Sequence, residues 1–335
     1  MSIKYRFLSF LLALTLFTSC EKILVEPTQD NTPTAIFEQT WTAIDQKYAF
    51  LTYKNINWDS IGNVYRKQVS NTISDDSLFN VLDKMLYTLK DGHVNLKSPF
   101  NRSRNWTWYL DFPQNYDEGL VQRNYLGNWK TTGALTHQLI KNVAYIHYES
   151  FSQDISGDQM NYLIDTYKNA KGVIFDIRNN GGGSVSNVFT LLKHFTDKAT
   201  LVGKIYEKNG PKRTDFTAAH EIWANPSTNA KTFANKKIII LTNRTCYSAA
   251  SFFPAMAKAL PNVTTMGDWT GGGGGLPTSL ELSNGWVLRY SSTITTDAKD
   301  FNFENGVPPT VKVDMSKADL DKGKDSILER ALGEF

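Results

Sequence analysis

Hydrophobic positions in the first third of the chain repeat with the spacing of amphipathic helices. The first such stretch follows a threonine and proline typical of a helix start, and its apolar positions are Phe37, Trp41, Ile44 and Tyr48. A second stretch covers residues 75–90, with an apolar stripe formed by Leu78, Val81, Leu82, Met85, Leu86 and Leu89. The spacing therefore predicts a small helical lobe.

The pattern changes after residue 142, where short apolar runs alternate with helical stretches. The predicted strands are 143–148, 172–177, 237–241 and 263–266, and the predicted helices are 153–169, 184–195 and 248–260. Such alternation is typical of an α/β fold with a mostly parallel sheet, in which ligands bind beyond the carboxyl ends of the strands.

Two of these strand ends carry candidate chemistry. The strand at 172–177 is followed by Gly181, Gly182 and Gly183, and glycines allow backbone N–H groups to approach a reacting oxygen closely. The strand at 237–241 is followed by Ser248 at the start of a helix, where the Ala249 amide and the helix dipole favour negative charge. Together they indicate acyl chemistry, although position alone leaves open that Ser248 merely caps the helix.

A serine needs a base to become a nucleophile at neutral pH. Of the five histidines, His93 is best placed, because it follows an amphipathic helix in a turn that could reach a cleft; a purely structural histidine is the alternative. Glu304 lies in a turn between strand-like runs, where most glutamates are solvated. Cys246 is expected to pack inward as a small apolar residue.

The amino terminus indicates export. Lys4 and Arg6 precede an apolar run at 7–17 that is too short to span a membrane comfortably. The following Thr18-Ser19-Cys20 resembles a lipobox, whose cysteine is lipidated, although Phe17 stands where leucine is usual; ordinary signal cleavage is the alternative. With Cys20 used in this way, no disulfide is expected. The net charge is +3 without a basic stripe, so nucleic acid is not an expected partner.

Four motifs lie in order along the chain: the segment from Val173 to Gly183, the segment from Asn243 to Ala250, the run Gly267-Asp268-Trp269-Thr270-Gly271-Gly272, and Glu304-Asn305-Gly306-Val307. They resemble those of the C-terminal processing (tail-specific) serine peptidases and the related tricorn core peptidases, and the likeness covers about residues 140–315. The resemblance implies a crotonase-like core. No metal or cofactor is implied.

The resemblance also implies roles for individual residues. Ser248 would be the nucleophile, and the amides of Ala249 and of Gly181 or Gly182 would form the oxyanion hole. The tail-specific branch has a lysine base where this chain has Gly273, which excludes a serine–lysine dyad there. The tricorn branch uses a histidine supported by a glutamate, and the matching residues are His93 and Glu304.

Three departures accompany this match. Gly92 precedes His93, where the tricorn branch has a serine that links the histidine to the glutamate. Ser251 stands where the family usually has a glutamate. The stretch between His93 and Val143 is too short for the PDZ domain of many tail-specific members. We therefore expect a lysine-lacking branch in which any selection of substrate tails is made by the cleft.

These observations predict an exported, lipid-anchored serine peptidase, held in the cell envelope of a Gram-negative-type bacterium on the periplasmic or outer side of a membrane. Its partners would be a peptide or protein substrate and, through Cys20, a lipid bilayer; no oligomeric state is predicted. The alternative is an inactive binding protein for peptides or apolar ligands on the same fold. With an unperturbed histidine pKa near 6.5, activity would fall below that pH.

The domain boundaries follow from these assignments. A lipoprotein signal peptide would occupy residues 1–20, and a polar tether residues 21–32. The helical lobe is predicted at 33–98, connecting loops and strands without a PDZ domain at 99–141, and the peptidase core at 142–335.

Overall fold

The architecture comes from a computed structural model that describes residues 30–103, 105, 111–226 and 231–335. The predicted signal peptide, Cys20 and most of the predicted tether lie outside the described residues. Within those residues, no helix combines the length and the apolar character that a membrane crossing requires.

Helices and strands alternate along most of the described chain. The helices are α1 (Pro33–Lys47), α2 (Trp58–Arg66), α3 (Asp75–Tyr87), α4 (Glu118–Tyr125), α5 (Gly157–Thr166), α6 (Val185–Leu192), α7 (Ala249–Ala257), α8 (Lys317–Leu320) and α9 (Ser326–Leu332). The strands are β1 (Asn95–Lys97), β2 (Lys130–Thr132), β3 (Leu135–Ile140), β4 (Val143–Tyr148), β5 (Gly172–Asp176), β6 (Thr200–Glu207), β7 (His220–Ala224), β8 (Lys237–Thr242), β9 (Val263–Gly267), β10 (Pro277–Glu281), β11 (Val287–Ser291), β12 (Thr293–Asp297) and β13 (Val311–Lys312). The elements predicted after residue 142 agree with these bounds to within a few residues, which is the usual uncertainty at element ends.

A seven-stranded sheet forms the centre of the molecule, in the order β13-β9-β8-β5-β4-β3-β2. The five strands from β4 to β13 pair in parallel, and β2 and β3 add an antiparallel edge. The predicted α/β fold with a mostly parallel sheet is therefore confirmed. Both β2 and β3 come from the predicted connecting segment 99–141, so part of that segment belongs to the central sheet.

Helices cover both faces of the central sheet. One face packs against α5, α6 and α7 through a large apolar core that includes Leu163, Leu191 and Phe253. The other face packs against α4 and α9 through Val121 and Leu328. Burial on both faces explains why β5 and β8 read as continuous apolar runs in the sequence.

The helical lobe is not built from the amino-terminal residues alone. Helices α1, α2 and α3 pack against a three-stranded antiparallel sheet of order β1-β11-β10. Strands β10 and β11 lie within the segment predicted as the core, 142–335. The lobe sheet is therefore completed by strands from the segment predicted as the core, and β11 ends at Ser291, beside His93.

A buried ion network lies where the central sheet meets the carboxyl-terminal helix. The guanidinium of Arg178 donates to both oxygens of Asp176, at 2.9 and 2.6 Å, and to Asp325 at 2.8 Å. All three side chains are fully buried. Burial by itself raises the pKa of Asp176, but the charge and hydrogen bonds of Arg178 hold it below its usual value. The Asp325 carboxylate also caps α9 by accepting from the Leu328 amide.

Candidate active site

Ser248 lies at a sharp turn between β8 and α7. Its backbone has φ +55° and ψ −124°, in a region that non-glycine residues rarely adopt. The Ser248 amide donates to the Gly272 carbonyl at 2.9 Å, which helps to hold this conformation. A strained serine between a strand and a helix exposes its hydroxyl at the edge of the sheet, and this arrangement suits a nucleophile.

His93 reaches Ser248 from the turn that follows α3. The His93 Nε2 atom lies 3.0 Å from the Ser248 Oγ atom, although the two residues are 155 positions apart in the chain. The turn is fixed by the Asp91 Oδ1 atom, which accepts a hydrogen bond from the His93 amide at 2.7 Å. The two residues that the sequence nominated as nucleophile and base are thus within hydrogen-bond distance.

The far side of the imidazole faces a hydroxyl and a carboxylate. The Ser291 hydroxyl, at the end of β11, donates to the Asp91 Oδ2 atom at 3.1 Å and lies 3.5 Å from the His93 Nδ1 atom. Because this hydroxyl gives its proton to Asp91, its oxygen is free to accept one from Nδ1. The arrangement favours the tautomer with the proton on Nδ1, which leaves Nε2 as the acceptor for the Ser248 proton.

Charges around His93 set the protonation of the site. Burial lowers the pKa of His93 to about 4, opposed by Asp91 and assisted by Arg289 and Lys54. Burial would raise the pKa of Asp91, but Lys54 and His93 hold it below its usual value. The site therefore combines a neutral imidazole with an ionised carboxylate over most of the pH range. The value near 6.5 applies to an unperturbed histidine, and the burial of His93 moves the expected loss of activity to lower pH.

Glu304 does not contact His93. Its carboxylate forms an ion pair with Lys54 at 2.7 Å and accepts from the Gly274 amide at 2.9 Å. Lys54 also donates to the Leu89 carbonyl at 3.2 Å, just before the turn that carries His93. The supporting role expected of Glu304 is therefore corrected: Asp91, through Ser291, is the carboxylate on the far side of the imidazole.

The predicted oxyanion glycines differ in what their amides do. The Gly182 amide donates to the side chain of Asn180 at 2.9 Å, so it is already used. A Cβ atom at Gly182 would lie 2.8 Å from the Ser248 Cβ atom, which explains the need for glycine beside the nucleophile. Gly181 is exposed and lines the cleft in front of Ser248. The Ala249 amide is at the first position of α7, where helical N–H groups have no intrahelical partner.

Tyr247 explains two of the departures from the family pattern. A Cβ atom at Gly273 would lie 2.6 Å from the Tyr247 ring, and one at Gly92 would lie 3.1 Å from it. Gly273 also has φ +79°, which disfavours any side chain. The Tyr247 hydroxyl donates to Asp91 at 3.1 Å. The tyrosine therefore occupies the space into which a lysine at position 273 would extend and supports the carboxylate behind His93.

Ser251 and Cys246, the two remaining residues singled out in the sequence, are both buried away from the cleft. The Ser251 hydroxyl is buried and donates to Thr270 at 2.9 Å. Cys246 is buried, and burial raises the pKa of its thiol to about 12, which disfavours a reactive thiolate. Among the described residues, no group of three or more His, Cys, Asp or Glu side chains is arranged to hold a metal ion.

A cleft of about 370 Å³ opens in front of the serine and histidine. Its lining residues are Gly92, His93, Gly181, Gly183, Thr245, Tyr247, Ser248 and Arg289. This volume is within the range of small-ligand sites. Sequence reasoning did not find Asp91, Ser291 or Arg289. Asp91 could have been suspected from its position two residues before His93, whereas Ser291 and Arg289 lie in a strand that carries no motif.

Comparisons with known proteins identify the family to which this fold belongs. A model of peptidase family S41 matches residues 142–313, just over half of the chain, and a model of the tricorn protease C1 domain matches residues 29–87. The carboxy-terminal processing protease CtpA of Bacillus subtilis is 26% identical over 178 residues, which are 52% of this chain and 35% of that protein. Its paralogue CtpB is 24% identical over 174 residues, 51% of this chain and 34% of that protein. The chain spans about a third of the length of these curated relatives.

Solved structures extend the likeness to nearly the whole chain. A crystal structure of a presumed peptidase from Parabacteroides merdae is 36% identical, with a TM-score of 0.85, and the match covers 91% of this chain and 96% of that one. The structure of mature CPAF complexed with lactacystin shares the fold at 11% identity, with a TM-score of 0.67 and coverage of 91% and 97%. From the family model and the structural match together, the chain belongs to peptidase family S41.

Proposed function

We propose that this protein is an exported serine peptidase in which Ser248 is the nucleophile and His93 the general base. The observation that carries the proposal is the 3.0 Å contact between the His93 Nε2 atom and the Ser248 Oγ atom. A nucleophile, a base within hydrogen-bond reach and a third group that orients the base form the usual arrangement for nucleophilic catalysis.

In the first half of the reaction, Ser248 attacks the peptide carbonyl carbon while its proton moves to His93 Nε2. The imidazolium then donates from Nδ1 to the Ser291 oxygen, which in turn donates to the Asp91 carboxylate. The carboxylate stabilises the positive charge on the imidazolium without taking a proton. His93 next gives its proton to the leaving amine, and the acyl group stays on Ser248.

The oxyanion that forms during the attack needs preorganised donors. The Ala249 amide at the start of α7 is one, and the helix dipole adds to it. The exposed Gly181 amide in the cleft is the second donor of the proposal. Gly182 contributes by its lack of a side chain rather than by its amide, which donates to Asn180.

In the second half, water attacks the acyl group while His93 takes its proton, and the Ser248 hydroxyl is restored. Relatives of this chain are named carboxy-terminal processing proteases. We therefore propose peptides or proteins as substrates, with the cleft between the helical lobe and the central sheet as their binding site.

Covalent labelling of the full chain in mild detergent with a fluorophosphonate probe tests this proposal. We expect labelling of the wild type and its loss in Ser248→Ala and in His93→Ala. Ser186→Ala and His220→Ala are matched controls, because both side chains are exposed outside the cleft and should leave labelling intact. A folded wild type that resists the probe would contradict the proposal and favour a binding protein on the same fold.

We also propose that Cys20 is lipidated and anchors the protein to a membrane of the cell envelope. The proposal rests on the charged start, the apolar run and the Thr18-Ser19-Cys20 sequence. Expression with an alkyne-bearing palmitate should label the wild type and not Cys20→Ser, and the variant should move to the soluble fraction. Equal labelling of both proteins would contradict the anchor without affecting the proposed catalysis.

A further inference from the structure

Arg289 projects from the same strand that supports the histidine. Ser291 and Arg289 are two residues apart on β11, so their side chains leave the same face of the lobe sheet. Ser291 contacts His93 and Asp91, whereas Arg289 lines the cleft beside Ser248. Strand β11 therefore places the Arg289 guanidinium in the same cleft as His93 and Ser248.

The charge of Asp91 acts on the guanidinium of Arg289, but no carboxylate contacts this guanidinium directly among the described residues. It takes part in no ion pair or hydrogen bond there, and its side chain is half-buried. The nearby carboxylate of Asp91 is already occupied by the amide of His93 and the hydroxyls of Ser291 and Tyr247. A partly desolvated arginine whose five donors have no hydrogen-bonded anion is an incomplete arrangement.

The surroundings of this guanidinium favour an anion from outside the chain. The positive charges of Arg102 and Arg289 act on each other, and the His93 imidazole nearby is neutral at ordinary pH because burial lowers its pKa. No carboxylate appears among the residues that line the cleft. An arginine in this position matches the geometry of a carboxylate, which accepts two parallel hydrogen bonds.

We propose that Arg289 binds a carboxylate of the peptide that enters the cleft, either the carboxyl terminus itself or an acidic side chain. This inference rests on the proposed function, because it assigns the substrate class of that same site. It also supplies a means of recognising a chain end within the cleft.

Binding to an inactive variant tests the inference without requiring turnover. Full-length Ser248→Ala protein is immobilised and exposed to a degenerate hexapeptide library that lacks acidic residues, made once with free carboxyl termini and once with amides. A third library has amidated ends and one glutamate at varied positions. Mass spectrometry then measures how much of each library is retained.

We expect retention of carboxylate-bearing peptides about 10- to 100-fold above that of the neutral library, the ratio typical of a charge-assisted hydrogen bond. Preference for the free-acid library would identify the chain end as the ligand, and preference for the glutamate library an acidic side chain. The inference would be overturned if all three libraries were retained equally or if none of them were retained.

Three further variants on the Ser248→Ala background identify the residue responsible. Arg289→Gln should abolish the preference, and Arg289→Lys should keep only part of it, because a lysine cannot bind in a bidentate manner. Arg102→Gln is the matched control, since this exposed arginine is a neighbouring charge outside the cleft lining. Equal loss in Arg102→Gln and Arg289→Gln would show a general positive field and overturn a specific contact.

These outcomes are separate from those of the labelling experiment. A preference that depends on Arg289 in a protein that resists fluorophosphonate would retain the binding role and remove the peptidase. Labelling of Ser248 without any carboxylate preference would retain the peptidase and remove the role of Arg289.

Discussion

Arg178 and Arg289 are both withdrawn from water, but their surroundings are opposite. Arg178 is fully buried, and its guanidinium forms ion pairs with Asp176 and Asp325. Arg289 is half-buried at a cleft and has no such partner among the described residues. A charge whose partners are all internal maintains the fold, whereas the charge of Arg289, at the cleft beside Ser248, is the one proposed to bind a ligand.

The same contrast applies to the buried acids around each site. Asp325 joins Arg178 to the start of α9 and so fastens the end of the chain to the central sheet. Asp91 instead holds Ser291 and the His93 turn, which are parts of the site. Mutations at the Arg178 cluster should therefore lower mainly stability, and mutations around Asp91 should lower mainly activity.

The largest effect is expected at the reactive pair. His93→Ala should lower kcat by about 10⁴- to 10⁶-fold, as in other serine hydrolases that lose their base. A moderate fall in the midpoint of thermal unfolding is also expected, because the His93 side chain is buried and packs against the Tyr247 ring. Hydrolysis assays and calorimetry measure the two quantities, with His220→Ala as the control. A large loss of stability with activity intact would contradict the assignment of His93 to catalysis.

Arg178→Met should act mainly on stability. Removing the guanidinium leaves Asp176 and Asp325 as buried charges without a partner, at a cost of about 3–5 kcal/mol in the free energy of unfolding. Urea titration measures the change. Arg330→Met is the control, because its ion pair with Glu334 is on the surface and should leave the urea midpoint unchanged. Similar midpoints for both variants would contradict a structural role for the network.

Ser291→Ala should have an intermediate effect on activity. Without the hydroxyl, the imidazolium loses its link to Asp91, and we expect kcat to fall by about 10- to 100-fold with KM little changed. Ser291→Thr should restore part of the rate because it keeps the hydroxyl. The neighbouring Ser292→Ala serves as the control. A fall in stability without a kcat effect would assign Ser291 to the fold rather than to the site.

The smallest expected effect is the shape of the pH profile. Because burial lowers the pKa of His93 to about 4, kcat/KM should stay nearly level from pH 8 to pH 5 and fall by half near pH 4. The sign follows from the chemistry, since protonation of the imidazole at lower pH removes the base. Burial raises the pKa of Glu304 to about 7, so Glu304→Gln is measured in parallel. If kcat/KM falls by half near pH 6.5 in both the wild type and Glu304→Gln, the lowered pKa of His93 is contradicted.

Local patterns in the sequence predicted the central sheet, and the motifs shared with the family nominated Ser248 and His93, which lie 3.0 Å apart in the structure. Strands β5 and β8 are uniformly apolar, and both end in motifs with special backbone geometry at Gly182 and Ser248. The same reasoning predicted helices α5, α6 and α7 to within a few residues. These features depend on neighbours in the chain, which is why they can be read from it.

Features that depend on distant partners were not predicted. The ion pair of Glu304 with Lys54 joins residues 250 positions apart, so the glutamate appeared free to support His93. Ser291 lies in an ordinary strand, and only the pairing of β11 with β1 brings it to the histidine turn. Strands β2 and β3 were assigned to a connecting segment because their short, mixed sequences carry little periodicity.

The late position of β11 in the chain has a consequence for biosynthesis. Ser248 and His93 are both made before residue 250, but Ser291 is made about forty residues later, at the end of β11. Domains tend to fold as they are synthesised, and contacts distant in sequence form late. The proposed catalytic site therefore cannot be complete until residue 291 has been synthesised. A chain released after residue 248 but before Ser291 would carry both Ser248 and His93 and still lack the hydroxyl proposed to orient the base.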